Sequence, residues 1–297
     1  NCIILPSGMY SGGFLGIAQL LRMGLSALLL APCSRGDLSA VCAALSASGT
    51  AAEIALSLAL AALYLADRKR FCPAGECGAA LTPRMLRIAL PLASSAYARS
   101  ALNTFRQLLV PRGLRLSGLS SESALAGYGI VNGMAMPVLL LPTCLPLSVA
   151  ELLVPALTEM QVAGEHVRVR RSVREMLGKT FLLSLGAAAA FFVFARPLGM
   201  LLYGSAEAAR FLRLLAPMVP FLYTDIVTDG CLKGLGQMMA SMAFNIAEAA
   251  LGLVLVWALL PRWALTGYLV TLYICEVFNF TLSLLRLRQI INGDGSH

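Results

Sequence analysis

The stretch from Arg196 to Asn245 constrains the fold more than any other. It reads RPLGMLLYGSAEAARFLRLLAPMVPFLYTDIVTDGCLKGLGQMMASMAFN. An apolar run enters through Arg196-Pro197 and turns at Tyr203-Gly204-Ser205. A second, longer run is broken by Pro217 and Pro220 and leaves through Lys233-Gly234-Leu235-Gly236. Apolar spans of this length on both sides of a tight turn suit a membrane, where only helices satisfy every backbone polar group. Prolines and two acids, Asp225 and Asp229, inside the second run point to broken helices and charge facing a cavity.

Composition supports the same class. Hydrophobic residues make up 58% of the chain and charged residues 13%, against roughly 45–50% and about 25% in soluble domains. Mean hydropathy is +0.78. A soluble domain of 297 residues with this composition would have too little polar surface. The formal charge of +8 does not signal nucleic acid, because Lys and Arg fall mostly in the loops between apolar spans. That distribution reports topology and contact with anionic lipid heads, and it predicts a multi-pass membrane protein. The chain opens Asn1-Cys2-Ile3 without a signal peptide pattern and reads as part of a longer protein.

The fold expected is an all-α integral membrane protein of about eight transmembrane helices. The first span covers about 8–30, with Gln19 and Arg22 inside it, and the second about 38–65, with Glu53. Residues 67–84, carrying Arg68, Lys69, Arg70 and Arg84 among Pro and Gly, form a cytoplasmic linker. It separates a partial N-terminal bundle, 1–66, from a C-terminal bundle, 85–291, which a polar tail, 292–297, follows.

The third span, about 85–110, is the least ordinary. Arg99 and Asn103 are four apart and share a helical face, and Arg106, seven from Arg99, falls near it. Such a polar stripe in an apolar helix faces a cavity or an anionic group; a helix lying on the membrane surface is the competing reading. Pro111 and Arg112 are expected to end this span, with an external loop reaching Ala124. The fourth span, about 127–159, contains Asn132 and four prolines, Pro137, Pro142, Pro146 and Pro155. The basic segment 162–179 is assigned to the cytoplasm. The fifth span, about 180–194, extends back toward it. Asp225 and Asp229 share a face of the sixth span, about 208–231. They mark either a proton or cation site or a helix end in water beside Lys233. The seventh, about 242–260, carries Asn245 and Glu248, and the eighth, about 264–285, carries Glu276 and Asn279.

Other chemistry is not signalled. No phosphate-binding G-x-x-x-x-G-K-[ST] loop occurs, and Gly234-Leu235-Gly236 reads as a tight turn. His166 and His297 form no cluster, Cys72 and Cys77 match no strong zinc pattern, and no Ser–His–acid set is plausible. No metal, no cofactor and no enzymatic centre are expected. Polar residues spread over several spans favour a transport path.

Two long runs carry a family resemblance: LVPRGLRLSGLSSESALAGYGIVNGMAMPVLLLPTCLPLSVAELLVPALTE, Leu109 to Glu159, and LLYGSAEAARFLRLLAPMVPFLYTDIVTDGCLKGLGQMMASMAFNI, Leu201 to Ile246, continued around Pro261 and Gly267-Tyr268. The chain resembles the stage V sporulation protein B-like polysaccharide exporters, of the superfamily that also holds multidrug and toxin extrusion transporters and the lipid II flippase. The resemblance implies two pseudo-symmetric six-helix halves, of which this chain corresponds to the last two helices of the first and all six of the second. It also implies alternating-access movement of an anionic lipid-linked saccharide or cell-wall precursor, in the sporulation branch for spore cortex peptidoglycan. The candidate cavity residues are Arg99, Asn103, Arg106 and Asn132. Asp225, Asp229 and Glu276 are candidates for proton or cation coupling. A multidrug exporter of the same fold, a membrane enzyme such as a glycan polymerase, and a non-transporting scaffold or inactive fragment are the alternatives.

Overall fold

A computed structural model of the protein describes residues 81–117 and 121–291, with Gly293, and toward the N-terminus Gly24, Ala43, 46–55 and 57–59. The chain divides into two compact units, Asn1–Leu81 and Thr82–His297. In the first, the described residues are helical and Glu53 is exposed. Gln19, Arg22, Cys72 and Cys77, most of the expected linker and nearly all of the tail lie outside the described residues.

In the second unit, every regular element among the described residues is helical. Helix α1 is Leu81–Leu116. The next span is built from α2 (Ser121–Ile130), a π-turn (Val131–Ala135), α3 (Met136–Leu140), a 3₁₀ turn (Leu141–Thr143) and α4 (Cys144–Val162). Helix α5 is His166–Tyr203. Helix α6 (Ala206–Leu215), a 3₁₀ turn (Ala216–Met218) and α7 (Val219–Gly234) make one broken span. Helix α8, Met238–Ile291, is two helices merged across a bend at Ala264. The result is a six-helix bundle in which each span has an identifiable sequence cause. Among the described residues, four of these helical stretches are both long and apolar enough to cross a membrane. The polar stripe of α1 sets it apart from them.

The prolines act where they stand. Pro142 and Pro217 sit in the 3₁₀ turns, and Pro137 and Pro220 at the first positions of α3 and α7, where their missing N–H costs least. Pro111 departs from expectation. The helix does not end there but continues to Leu116, so Arg112 and Arg115 are helical and the connection to α2 is short. Beyond the proline, Leu114 is buried against the core with Val110, and Gly113 lies against Leu260. Packing on both sides of Pro111 outweighs the one lost hydrogen bond.

The turn at Tyr203-Gly204-Ser205 is as the sequence suggests. Gly204 adopts φ 60°, its N–H donates to the Met200 carbonyl at 3.0 Å, and the Ser205 N–H donates to the Gly199 carbonyl at 3.2 Å. The Ser205 hydroxyl then caps α6 by accepting from the Ala208 N–H at 3.2 Å.

Helix α7 is the axis of the bundle. In its span 61% of the most apolar stretch is buried, against 22% in each of the other three. Gly230 and Gly234, spaced four apart, let α4 approach: a Cβ on Gly230 would lie 2.7 Å from the Ala150 Cβ, and one on Gly234 3.0 Å from the Val154 carbonyl oxygen. The Thr158 hydroxyl donates to the Gly234 carbonyl at 2.8 Å across the same contact.

Two apolar cores result. One gathers Val110, Leu139, Phe191, Tyr223, Leu260 and Tyr268. The other gathers Leu153, Val173, Val227, Leu232 and Leu287. Along α7 the buried polar residues Thr224, Asp225 and Thr228 fall between Tyr223 of the first core and Leu232 of the second. Along α8 Glu276 and Asn279 fall between Tyr268 and Leu287. A polar layer therefore crosses the bundle between two greasy ones.

The bend at Ala264 has φ 48° and ψ −130°, a conformation that a Cβ disfavours. Ala264→Gly is expected to stabilise the bundle by about 1 kcal/mol, because glycine reaches this geometry without the steric cost. Thermal unfolding in detergent checks it: a midpoint raised by a few degrees is expected, and an unchanged or lowered one contradicts it.

Candidate functional site

The polar layer opens into two adjoining cavities. One, about 560 Å³, lies between α1, the end of α7 and the start of α8, and is lined by Arg99, Asn103, Gln107, Asp229, Lys233 and Asn245, among others. The second, about 450 Å³, lies deeper, against α4, α7 and both halves of α8. It holds five acids, Glu151, Asp225, Asp229, Glu248 and Glu276, against two bases, Arg99 and Lys233. Arg99, Asp229, Lys233 and Asn245 line both. The chambers thus differ in charge character and meet at Arg99.

Glu248 lines the second and pairs with Arg99, which lines both. Its Oε2 is 4.0 Å from the Arg99 Nη2 and its Oε1 3.8 Å from the Arg106 Nη1. One carboxylate therefore faces two guanidinium groups seven residues apart on α1. These separations are charge pairs rather than close hydrogen bonds, so another anion can compete for the arginines. Arg106 lies close over Gly252, where a Cβ would lie 2.8 Å from the Arg106 Nη1. Arg99 is about half-exposed, with 48% of its side chain accessible, and Arg106 less so at 23%.

The two aspartates of α7 have different partners. Asp229 is bound by Lys233 at 2.6 Å and by the Ser241 hydroxyl, which donates to it. Asp225 is buried and accepts from the Asn279 amide at 2.8 Å. Asp225 Oδ1 and Asn279 Oδ1 are buried without a hydrogen-bond partner among the described residues. A buried acceptor oxygen without a donor carries a desolvation cost. Glu276 lines the same chamber.

Asn132 is placed elsewhere. It lies in the π-turn, donates to the Tyr128 carbonyl at 3.2 Å and accepts from the Tyr268 hydroxyl at 3.0 Å. It lines neither cavity. The structure therefore brings Arg99 and Asn103 together on one wall, whereas Arg106 lines neither cavity and is joined to Arg99 only through Glu248. Asp225, Asp229 and Glu276 stand around the deeper chamber. Glu248, Asn279 and Lys233 are additions that span-by-span reading left out of the site. A signal for them existed: Ser241, Asn245 and Glu248 recur at helical spacing along one face, and Glu276 and Asn279 are three apart. Among the described residues no group of three or more His, Cys, Asp or Glu is placed to hold a metal.

This arrangement, a six-helix bundle with broken helices around a polar layer, has counterparts. The MatE family pattern matches residues 113–258. The chain thus carries a MatE-like region over just under half of its length. It is related to two sporulation proteins of Bacillus subtilis (strain 168). It is 28% identical over 203 residues to stage V sporulation protein B, covering 67% of this chain and 39% of that protein. It is 23% identical over 176 residues to sporulation protein YkvU, covering 59% of this chain and 40% of that protein. The matches thus span about two fifths of these relatives' lengths. In fold it is similar to a multidrug resistance MATE family transporter of the MOP superfamily. The inward-facing conformation matches with a TM-score of 0.64 and 15% identity over 95% of this chain and 65% of that one. The outward-facing conformation matches at 0.59 and 17%, over 94% and 63%. The likeness to these structures is one of fold, and the bundle is that of a multi-pass membrane protein.

Proposed function

We propose that this chain is part of a flippase that carries a lipid-linked saccharide or cell-wall precursor across the cytoplasmic membrane by alternating access. The chain contributes two helices to one half and the whole of the second. The observation that supports this most is Glu248 poised between Arg99 and Arg106 on the wall of the polar cavity. An anionic pyrophosphate head offers more acceptor oxygens than one carboxylate and displaces Glu248 from the arginines. Asn103, beside Arg99, adds a neutral hydrogen-bonding group for a saccharide. Asp225 and Glu276 in the deeper chamber bind the proton or cation that couples the cycle. Glu248, released by cargo, adds its charge to the deeper chamber that it lines and so links the two occupancies. The kinship with sporulation proteins fits a role in spore cortex peptidoglycan.

A second reading has its own support. Five acids in the deeper chamber suit a cationic drug, as a multidrug exporter of this fold would require. Proteoliposomes discriminate. They carry this chain, or a version extended at its N-terminus to complete the first half, with a fluorescent lipid-linked saccharide pyrophosphate or a fluorescent organic cation as cargo. Saccharide movement without cation movement is expected from the extended form. Cation movement alone establishes the drug reading, and a folded protein that moves neither is a scaffold.

A further inference from the structure

A third cleft lies outside the transport cavity, and its chemistry is different. It has a volume of about 590 Å³ and runs between α5 and the last turns of α8, with Thr224 of α7 behind it. Three arginines stand at it: Arg170 and Arg174, four apart on α5, and Arg288 on α8. All three are exposed, no acid lines the cleft, and none of the three forms an ion pair among the described residues. The nearby acids of α5 are engaged elsewhere: Glu165 with Arg168 at 2.8 Å and Glu175 with Lys179 at 2.7 Å. The floor and walls are apolar. Val173 and Leu287 are buried, and Leu177, Phe181, Phe280 and Leu284 line the rest. Phe280 is fixed edge-on against Phe221, with ring centroids 5.8 Å apart.

The cleft sits at a change of solvent. Along α5 the charges stop at Lys179 and the next, Arg196, follows sixteen uncharged residues, about 24 Å of helix. Phe181, Leu182, Leu183 and Leu185 continue the apolar surface outward from the cleft and are exposed, as lipid-facing residues are. Arg174 to Phe181 and Phe280 to Arg288 each span about 10–12 Å along their helices. One end of the cleft is therefore cationic and wet and the other apolar and continuous with the hydrocarbon layer.

We infer that this cleft is a binding site for one anionic glycerophospholipid, its phosphate held by Arg170, Arg174 and Arg288 and an acyl chain lying against Phe181, Phe280 and Leu284. Basic pockets between transmembrane helices at a membrane face recognise such lipids, and the apolar slot adds what diffuse charge attraction lacks. The site is independent of the cargo, so it stands or falls separately from the flippase reading.

The test uses this chain purified in detergent and titrated with phosphatidylglycerol, phosphatidylcholine or inorganic phosphate. Bound lipid is counted by native mass spectrometry and thermal midpoints are followed in parallel. One retained phosphatidylglycerol and a raised midpoint are expected, with neither effect from phosphatidylcholine or inorganic phosphate. Arg170→Gln/Arg174→Gln is expected to weaken retention about thirtyfold, from roughly tenfold per 1.4 kcal/mol and about 1 kcal/mol per arginine. Leu284→Trp, which fills the slot and leaves the charge unchanged, is expected to weaken it as well. Arg196→Gln/Arg210→Gln, in the basic cleft between α5 and α6, serves as the control and is expected to leave it unchanged. Equal retention of both lipids, equal loss in the control pair, or a phosphate effect matching that of the lipid would overturn the site.

Discussion

Arg99→Ala/Arg106→Ala is expected to abolish saccharide movement in the N-terminally extended protein while leaving its fold intact. Arg99 lines the cavity, Arg106 meets Glu248 beside it, and neither belongs to the apolar cores. Removing them leaves Glu248 beside a polar chamber rather than sealed in hydrocarbon, which keeps the structural cost small. The functional cost is large, because each charge-assisted hydrogen bond to an ionised phosphate contributes roughly 1.5–3 kcal/mol, so losing both arginines weakens cargo binding about 100-fold or more. Lysine at both positions keeps the charge and loses the fork, and restores only part of the rate. Transport in proteoliposomes, with circular dichroism as the folding control, reads the outcome. Undiminished movement in a folded double variant would remove the arginines from the cargo path.

Gly230→Val is expected to cost about 3 kcal/mol and to lower the thermal midpoint more than any other single change considered, since overpacking a tight contact costs about 1–3 kcal/mol and this one has no slack. A Cβ at position 230 would lie 2.7 Å from the Ala150 Cβ and 2.9 Å from the Ala150 Cα, so the neighbouring atom is backbone and cannot swing away. Helix α7 is also the most buried span, so its displacement from α4 disturbs both apolar cores and the polar layer between them. Gly186→Val, at an exposed position on α5 with open space around it, is the matched control and is expected to be near neutral. A similar loss from both changes would show that helix propensity, rather than the α4–α7 contact, sets the cost.

The sequence carries the membrane class and most span positions, because apolar length and loop charge act locally. The Gly204 turn was legible for the same reason: glycine after an apolar helix and serine before the next are local signals. Pro111 misled because its effect depends on what surrounds it. The Leu260 contact with Gly113 and the burial of Leu114 come from residues far apart in the chain, and no local signal announces them. The π-turn that carries Asn132 toward Tyr268 was hidden likewise, since one extra residue in a turn rotates every side chain after it.

The site divides along the same line. Arg99 and Asn103 were legible as a stripe, because both lie on one helix. Separating Asp225 from Asp229 required more than one helix: Asn279 on α8 takes the first, and Lys233 and Ser241 take the second. Glu248 looked ordinary near the start of its span. Its role depends on two arginines more than a hundred residues earlier, a relation that periodicity within one segment does not express.

Equilibrium binding of a fluorescent lipid-linked saccharide pyrophosphate to the extended protein tests the central claim most directly. Wild type, Glu248→Gln and Arg99→Ala/Arg106→Ala are compared. If cargo and Glu248 compete for the same arginines, Glu248→Gln binds about tenfold more tightly, the equivalent of about 1.4 kcal/mol, and the arginine variant loses binding. Equal affinity in all three, or weaker binding in Glu248→Gln, would contradict an arginine-held anionic cargo in this cavity.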